Sequence, residues 1–445
     1  MMAVLAATPP AVQPRPWRRA LLWLALLGPF FFASYGFANW VASRHADVPV
    51  VVFGWEAQIP FVPWTIVPYW SIDLFYAISL LLCRQRLELD RHALRLLSAQ
   101  LIAVACFLLW PLRFSFERPQ TGGVFGWLFD VLLGFDKPFN QAPSLHIVLL
   151  IVLWVKFAQY LHGAWRWLLH GWALLIGISV LTTFQHHFID IPTGLLVGWL
   201  CVWLWPEQGT PPLRAWHRVR DAGRWRLAAL YLLGATALLV PAVLLRGAAL
   251  WLLWPAVSLL LVALAYAGLG AAVFQKRADG RLTMAARWLL APYLGAAWIN
   301  SRLWTRRAPQ PVPVAAGVWL GRMPWGAVPA PLRGVVDVCA ELSGRAPDAA
   351  YASVPMLDLV APTPEQLREA AEAIERLRAQ GPLLVCCALG YSRSAASVAT
   401  WLLRSGRARS LSDAVAQVQA ARPTIVLHAV HLQAIAAAAA GAKDR

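Results

Sequence analysis

Runs of about 20 apolar residues, each long enough to cross the hydrocarbon core of a bilayer, recur between residues 20 and 273 and exclude an ordinary soluble fold for that stretch. They fall near 20–40, 64–83, 94–112, 146–161, 167–185, 190–206, 228–245 and 249–273, which predicts eight spans. The first follows RPWRR and is too long for a signal-peptide core, so it reads as a retained anchor. Hydrophobic residues make up 59% of the chain, with 25 Trp, where soluble domains carry roughly 45–50% apolar residues. Cys83, Cys106 and Cys201 lie in or beside apolar runs, and the six cysteines show no metal-ligand spacing, so a disulfide framework is not expected.

The formal charge is +17. Its arginines punctuate the apolar runs instead of forming one patch, which argues against a nucleic-acid partner and for anchored cytoplasmic loops. With the N-terminus inside, fourteen Lys and Arg from Arg15 to Arg226 fall on the inner side. Only Arg44, Arg113, Arg118, Lys137 and Arg246 fall outside. Eight spans then return everything after residue 273 to the cytoplasm.

Residues 275–308 mix Arg and Trp with apolar residues and read as an interfacial helix on the inner membrane face, with a ninth embedded helix as the rival. APQPVPV (308–314) is a Pro-rich linker. Beyond it, strand-like runs (GVWLG, GVVDV, PLLVCC) alternate with helical patterns (PTPEQLREAAEAIERLRAQ, SLSDAVAQVQAA), as in a soluble α/β domain. The Ala-rich tail at 435–441 is helical or frayed. The predicted organisation is therefore a membrane domain at 1–206, two further spans within 207–273, an interfacial segment at 274–309 and an α/β domain at 310–445.

Within VCCALGYSRSAAS (385–397), Cys387 and Arg393 are separated by Ala388, Leu389, Gly390, Tyr391 and Ser392, and Ser394 follows. A strand delivers a thiol to a tight loop whose amides converge on an anion, and the helix beginning near Ser394 adds its positive end. Those dipoles favour a thiolate nucleophile. Arg393 offers a planar fork for two phosphate oxygens, Gly390 permits the backbone twist, and Ser394 can hydrogen-bond the sulfur as it leaves. The motif resembles the dual-specificity branch of the protein tyrosine phosphatase superfamily, over roughly 312–435. The resemblance implies that Asp358 in VPMLDLVAPTPEQL protonates the leaving oxygen, and Arg422–Pro423 fits the same layout. One departure is Cys386, which stands where that family usually has His bracing the loop. A redox pair of Cys386 and Cys387 would be strained.

A second cluster comprises LRFSFERP (112–119), DKPFNQAPSLH (136–146) and TTFQHHFIDIPTG (182–194), all at outer ends of spans three to six. Charged groups there are costly unless used or solvated. His186 and Asp190 share a helical face, so Asp190 can hold one ring nitrogen and leave the other for attack on phosphorus. His187 is the rival, three residues from Asp190 instead of four. His146 can protonate the departing alcohol, Arg113, Arg118 and Lys137 can neutralise phosphate, and Ser144 can bind a phosphate oxygen. The set resembles the phosphatidic acid phosphatase type 2 superfamily over about 60–206, which implies His186 as nucleophile and His146 as acid. It departs from that pattern at Pro111, where Lys is usual, and at Val180, where Arg is usual. T-x-Q-H-H-x-x-x-D looks more like the sphingolipid and inositol-lipid phosphotransferase branch.

The two resemblances occur together, in this order, in bacterial inner-membrane fusion proteins. They imply a bifunctional phosphatase that needs no metal or other cofactor in either centre. A periplasm-facing His site would act on a lipid phosphate, and a cytoplasmic Cys site on a phosphoprotein or phosphoinositide-like phosphoester. The alternative is a lipid phosphotransferase whose cysteine domain is a weakly active phosphate sensor. A transporter fits less well, since no span shows paired charges or broken-helix repeats.

Overall fold

The computed structural model describes residues 14–324, 326–344, 346 and 349–440, so residues 1–13 of the expected membrane domain and the end of the Ala-rich tail lie outside the described residues. The chain forms two units, 1–209 with 245–250, and 210–244 with 251–445.

The first unit is helical. It holds α1 (Trp17–Ala42), α2 (Ile66–Leu82), α3 (Arg86–Leu109), α4 (Gly123–Leu133), α5 (Leu145–Phe157), α6 (Gly163–Thr182) and α7 (Asp190–Leu204). Among the described residues of the whole chain, six helical stretches are long and apolar enough to cross a membrane: Trp17–Ala42, Pro63–Leu82, Arg86–Leu109, Gly163–Thr182, Ala222–Leu245 and Gly247–Phe274. The fourth and sixth expected spans are shorter than the apolar runs at 146–161 and 190–206 suggested, forming only α5 and α7. Their starts are set by polar groups: the Ser144 side chain caps α5, accepting from the Ile147 amide (3.4 Å), and Asp190 opens α7.

Packing between α5 and α7 depends on glycine. A Cβ on Gly194 would come within 2.7 Å of the Ile147 Cβ, and one on Gly198 within 2.8 Å of the Ile151 Cβ. This four-residue glycine spacing lets the two backbones approach closely, as in helix pairs within lipid. Ion pairs gather at the opposite ends of these helices. Lys156 is fully buried and pairs with Glu88 (2.5 Å) and Glu207 (3.5 Å), while Arg95 pairs with Glu207 (3.2 Å).

In the second unit, α8 (Ala222–Leu245) and α9 (Leu253–Leu264) precede a π-helical turn at Ala265–Leu269 and a 3₁₀ turn at Gly270–Phe274. The segment expected as one interfacial helix is two, α10 (Met284–Leu289) and α11 (Ala291–Trp304). They bury Ala285, Ala286, Leu289 and Ser301 and expose Met284, Trp288, Ile299, Leu303 and Trp304. Lys276, before α10, has its side chain fully buried against Asp337 and donates to the carbonyls of Cys339 and Leu342. A buried ammonium needs that full set of partners.

A five-stranded sheet follows, with β1 (Val312–Ala315), β2 (Val318–Arg322), β3 (Gly334–Cys339), β4 (Ala350–Met356) and β5 (Leu383–Cys387) in the order β1-β2-β5-β3-β4. Only β1 is antiparallel to its neighbour. β3 and β5 are buried along their whole length, which is why they read as unbroken apolar runs. The expected linker at 308–314 is corrected in its second half, where β1 forms. Pro313 is tolerated there because an edge strand can spare one donor. β4 was not foreseen either. Helices α12 (Pro364–Arg378), α13 (Arg393–Arg404), α14 (Leu411–Ala421) and α15 (Ala429–Ala440) complete the unit. Thr363 and Gln366 form a reciprocal capping box at the start of α12.

Candidate active sites

β5, flanked by β2 and β3, ends at Cys387, and α13 begins at Arg393. The five residues between them form a loop whose carbonyls are engaged from outside. Cys387 O accepts from the Met323 amide (2.8 Å) and Tyr391 O from the Val426 amide (2.9 Å). Ala388 O accepts from the Ser301 hydroxyl (3.1 Å), and Leu389 O from Arg422 (3.4 Å). In a trans peptide the next N–H points the other way, so these bonds turn the amides of Ala388, Leu389, Gly390 and Ser392 toward the loop's interior. The Gly390 amide donates to Cys387 Sγ (3.2 Å), and Ser394 Oγ lies 3.3 Å from the same sulfur.

Gly390 has a left-handed φ of 78°, and a Cβ there would meet the Gly321 backbone at 2.5 Å. No other residue satisfies both conditions. Ser392 Oγ is held by His431 Nε2 (3.0 Å), and Tyr391 donates to Trp304 O (3.1 Å). Arg422 also lies over the Tyr391 ring, 5.2 Å from its centroid.

Arg393 is buried, with its guanidinium gripped by Glu341 through two bonds of 2.7 Å and by Met356 O (2.9 Å). Asp358 Oδ1 sits 3.0 Å from Arg393 Nη2. Arg393 Nε is a buried donor with no partner among the described residues, which suits it to an anion. Burial pushes the Glu341 carboxyl up, but Arg393 outweighs this and holds it below the usual range. For Asp358 the balance is opposite: burial wins over Arg393, and its carboxyl is raised. A carboxyl raised in this way beside an anion-binding loop is suited to act as a general acid. The structure thus brings Cys387, Arg393, Asp358 and Ser394 together, with Arg422 of the Arg422–Pro423 pair against the loop, while Glu341, His431 and Ser301 are additions that the sequence did not announce.

Cys386 faces the other way. It belongs to the buried cluster that includes Val335, Leu384, Leu342 and Met323, its sulfur is 4.0 Å from the Met323 sulfur, and burial pushes its thiol well above the ordinary value.

The second cluster lies at one end of the helical unit. His186 Nδ1 is 3.0 Å from Asp190 Oδ2, which orients the ring and leaves Nε2 unclaimed by that bond. His146, on the first turn of α5, stacks on Tyr69 with ring centroids 3.8 Å apart, and its centroid is 6.4 Å from that of His186. His187 is committed at both nitrogens: Nδ1 to Glu56 (3.0 Å) and Nε2 to the amide (3.2 Å) and hydroxyl (3.1 Å) of Ser115. Ser144 is buried and spent on capping α5. Arg113 donates to Val48 O (3.2 Å), Arg118 lies over the Phe129 ring (4.5 Å), and Lys137 is exposed after α4. Glu56, Tyr69 and Ser115 are participants the sequence motifs did not mark. The described residues contain no cluster of His, Cys, Asp and Glu able to hold a metal ion.

Residues 334–439 match the family model described as dual specificity phosphatase, catalytic domain. Similar solved structures include human DUSP28, at 27% identity over 30% of this chain and 96% of that one, with TM-score 0.28. Another is Tk-PTP in its active form, at 25% identity over 30% of this chain and 98% of that one, with TM-score 0.27. No curated protein matches the chain by sequence. The chain thus carries a dual-specificity-type catalytic domain and is a phosphoric monoester hydrolase.

Proposed function

We propose that the chain is a bifunctional phosphatase of a bacterial inner membrane, with a Cys-based centre in the cytoplasm and a His-based centre for lipid phosphate on the periplasmic side. The observation that carries this reading is the convergence on Cys387 Sγ of the Gly390 amide and Ser394 hydroxyl, with Arg393 and Asp358 paired at 3.0 Å beside it.

In the first half-reaction, Cys387 sulfur attacks phosphorus and the P–O bond to the leaving alcohol breaks as Asp358 supplies its proton. The loop amides and the Arg393 Nε–H hold the phosphoryl oxygens. In the second, water attacks phosphorus, Asp358 takes a water proton, and the S–P bond breaks with Ser394 donating to the departing sulfur. Glu341 keeps the Arg393 fork in register. At the other centre, His186 Nε2 attacks phosphorus and the P–O bond to the leaving alcohol breaks as His146 protonates it; water, giving a proton back to His146, then attacks phosphorus and breaks the N–P bond, with Asp190 balancing the charge on the His186 ring. The 6.4 Å between the two rings is commensurate with one phosphoryl group between them. Arg113, Arg118 and Lys137 lie on the flanking loops and supply positive charge. A thiolate enzyme belongs in a reducing compartment, in keeping with the side on which basic loops place residues 310–445.

Testing this reading takes the full chain in nanodiscs and two variants, one single and one double. Cys387→Ser should abolish hydrolysis of an aryl phosphate while lipid phosphate hydrolysis persists. In that background, adding His186→Ala should remove the lipid activity. Aryl phosphate hydrolysis that survives Cys387→Ser would sink the assignment of the thiol.

A further inference from the structure

One flank of the Cys387 loop, at Ala388 and Leu389, borders a cavity. Ala388, Leu389, Glu341 and Asp358 form one side of a cavity of about 390 Å³, far larger than a phosphoryl group and within the range of small-molecule sites. The opposite side comes from the helices that precede the α/β domain: Tyr231 of α8, Pro255 and Leu259 of α9, and Tyr293, Ala296 and Ala297 of α11. Rigid contacts build this wall. Tyr231 stacks on Tyr266 (5.5 Å, 3°) and meets Tyr293 edge-on (5.9 Å, 76°). The Tyr266 hydroxyl donates to Asp358 O (3.0 Å), which ties the acid's own loop to the turn after α9. Ser301 of α11 both lines the cavity and braces the catalytic loop through Ala388 O.

The chemistry of the wall points to its ligand. Two of its helices lie in stretches with the length and hydropathy of membrane spans. Exposed Trp288, Ile299, Leu303 and Trp304 give the adjoining helices an apolar outer face. Exposed Arg277, Arg281, Arg287, Arg306 and Arg307 lie on the same segment. Aromatic and basic residues together mark an anionic membrane interface. Leu359, next to the acid, is 67% exposed and also lines the cavity.

Resting on the assignment of Cys387 above, we propose that this centre takes the phosphomonoester headgroup of a membrane lipid, drawn from the bilayer with its apolar part against the α8–α9–α11 wall.

The test uses the full chain carrying His186→Ala, in nanodiscs, so that only the thiol centre is read. Substrates are dioleoyl phosphatidic acid in the disc, glycerol 3-phosphate, a phosphotyrosyl peptide and an aryl phosphate. Remote binding raises turnover where it is used in the transition state, so kcat/KM for the lipid should exceed that for glycerol 3-phosphate by at least about 100-fold. It should also exceed that for the peptide. Leu259→Trp or Ala296→Trp should lower the lipid-to-aryl ratio by about tenfold. Preference for the peptide, or a lipid no better than glycerol 3-phosphate, would overturn the proposal, and this comparison holds even where a Trp variant misfolds. A ratio unmoved in a folded Trp variant would also overturn it. If Cys387→Ser retains aryl phosphate hydrolysis, it is instead the assignment of the thiol that fails.

Discussion

The two candidate centres are built in opposite ways. At the thiol centre, nucleophile, loop amides, phosphate grip and hydroxyl lie within Cys387–Ser394, and the fold's contribution is to hold that segment from behind through Ser301, Arg422, His431 and Glu341. At the histidine centre only His186 and Asp190 are local to one another. His146 and His186 meet because Gly194 and Gly198 let α5 and α7 close on one another, and each histidine has its own support in Tyr69 or Asp190. A contiguous site depends on bracing, whereas a dispersed one depends on helix packing.

That contrast can be broken most severely at the sulfur. Cys387→Ser should cut kcat/KM for an aryl phosphate by about 10⁴-fold or more and leave the His186-dependent activity within about twofold. Steady-state rates on both substrates decide it. Next comes helix packing. In a Cys387→Ser background, Gly194→Leu should lower lipid phosphate hydrolysis by about 100-fold, since a shift near 1 Å at reacting groups costs that much. The same substitution in the otherwise native chain should spare aryl phosphate turnover.

Asp358→Asn should reduce kcat by about 100-fold for a substrate with a poor leaving group, and less for an aryl phosphate. Its sign with pH follows from burial. Because the Asp358 carboxyl is raised, its protonated form persists above the usual carboxylate range, and the rate falls as pH rises through that raised value. A pH–rate profile of the Asn variant should lose this falling limb.

The smallest effect is expected at Cys386. Cys386→Ala should leave kcat within about threefold, with a stability loss near 1 kcal/mol for a trimmed core side chain. Iodoacetamide labelling read by peptide mass spectrometry should modify Cys387, whose sulfur meets the Gly390 amide and Ser394 hydroxyl, and spare Cys386, whose sulfur packs against Met323.

What could be read from the sequence follows the same division. Strands β2, β3 and β5, helices α12 and α14 and the phosphate loop were legible because each is local: an apolar run, a helical pattern, or a motif of fixed spacing. β1 was hidden by Pro313, which marks linkers as readily as edge strands. Glu341 lies 52 positions from Arg393 and Lys276 lies far from Asp337, so neither pair leaves a periodic trace. Nor could the cavity wall be foreseen, since 275–308 suggests a membrane surface and says nothing of Ser301 reaching Ala388 O. The usual bracing His is replaced at Cys386 by a side chain that packs against Met323, and the bracing of the loop falls to Ser301, Arg422 and His431.

The most direct test of two independent centres is a single matrix of rates. Wild type, Cys387→Ser, His186→Ala and the double variant would each be reconstituted in nanodiscs, with phosphate release followed from an aryl phosphate and from phosphatidic acid. Aryl phosphate turnover should depend on Cys387 alone, and lipid turnover should survive either single change and vanish only in the double variant. Loss of both activities from either single substitution would contradict the account.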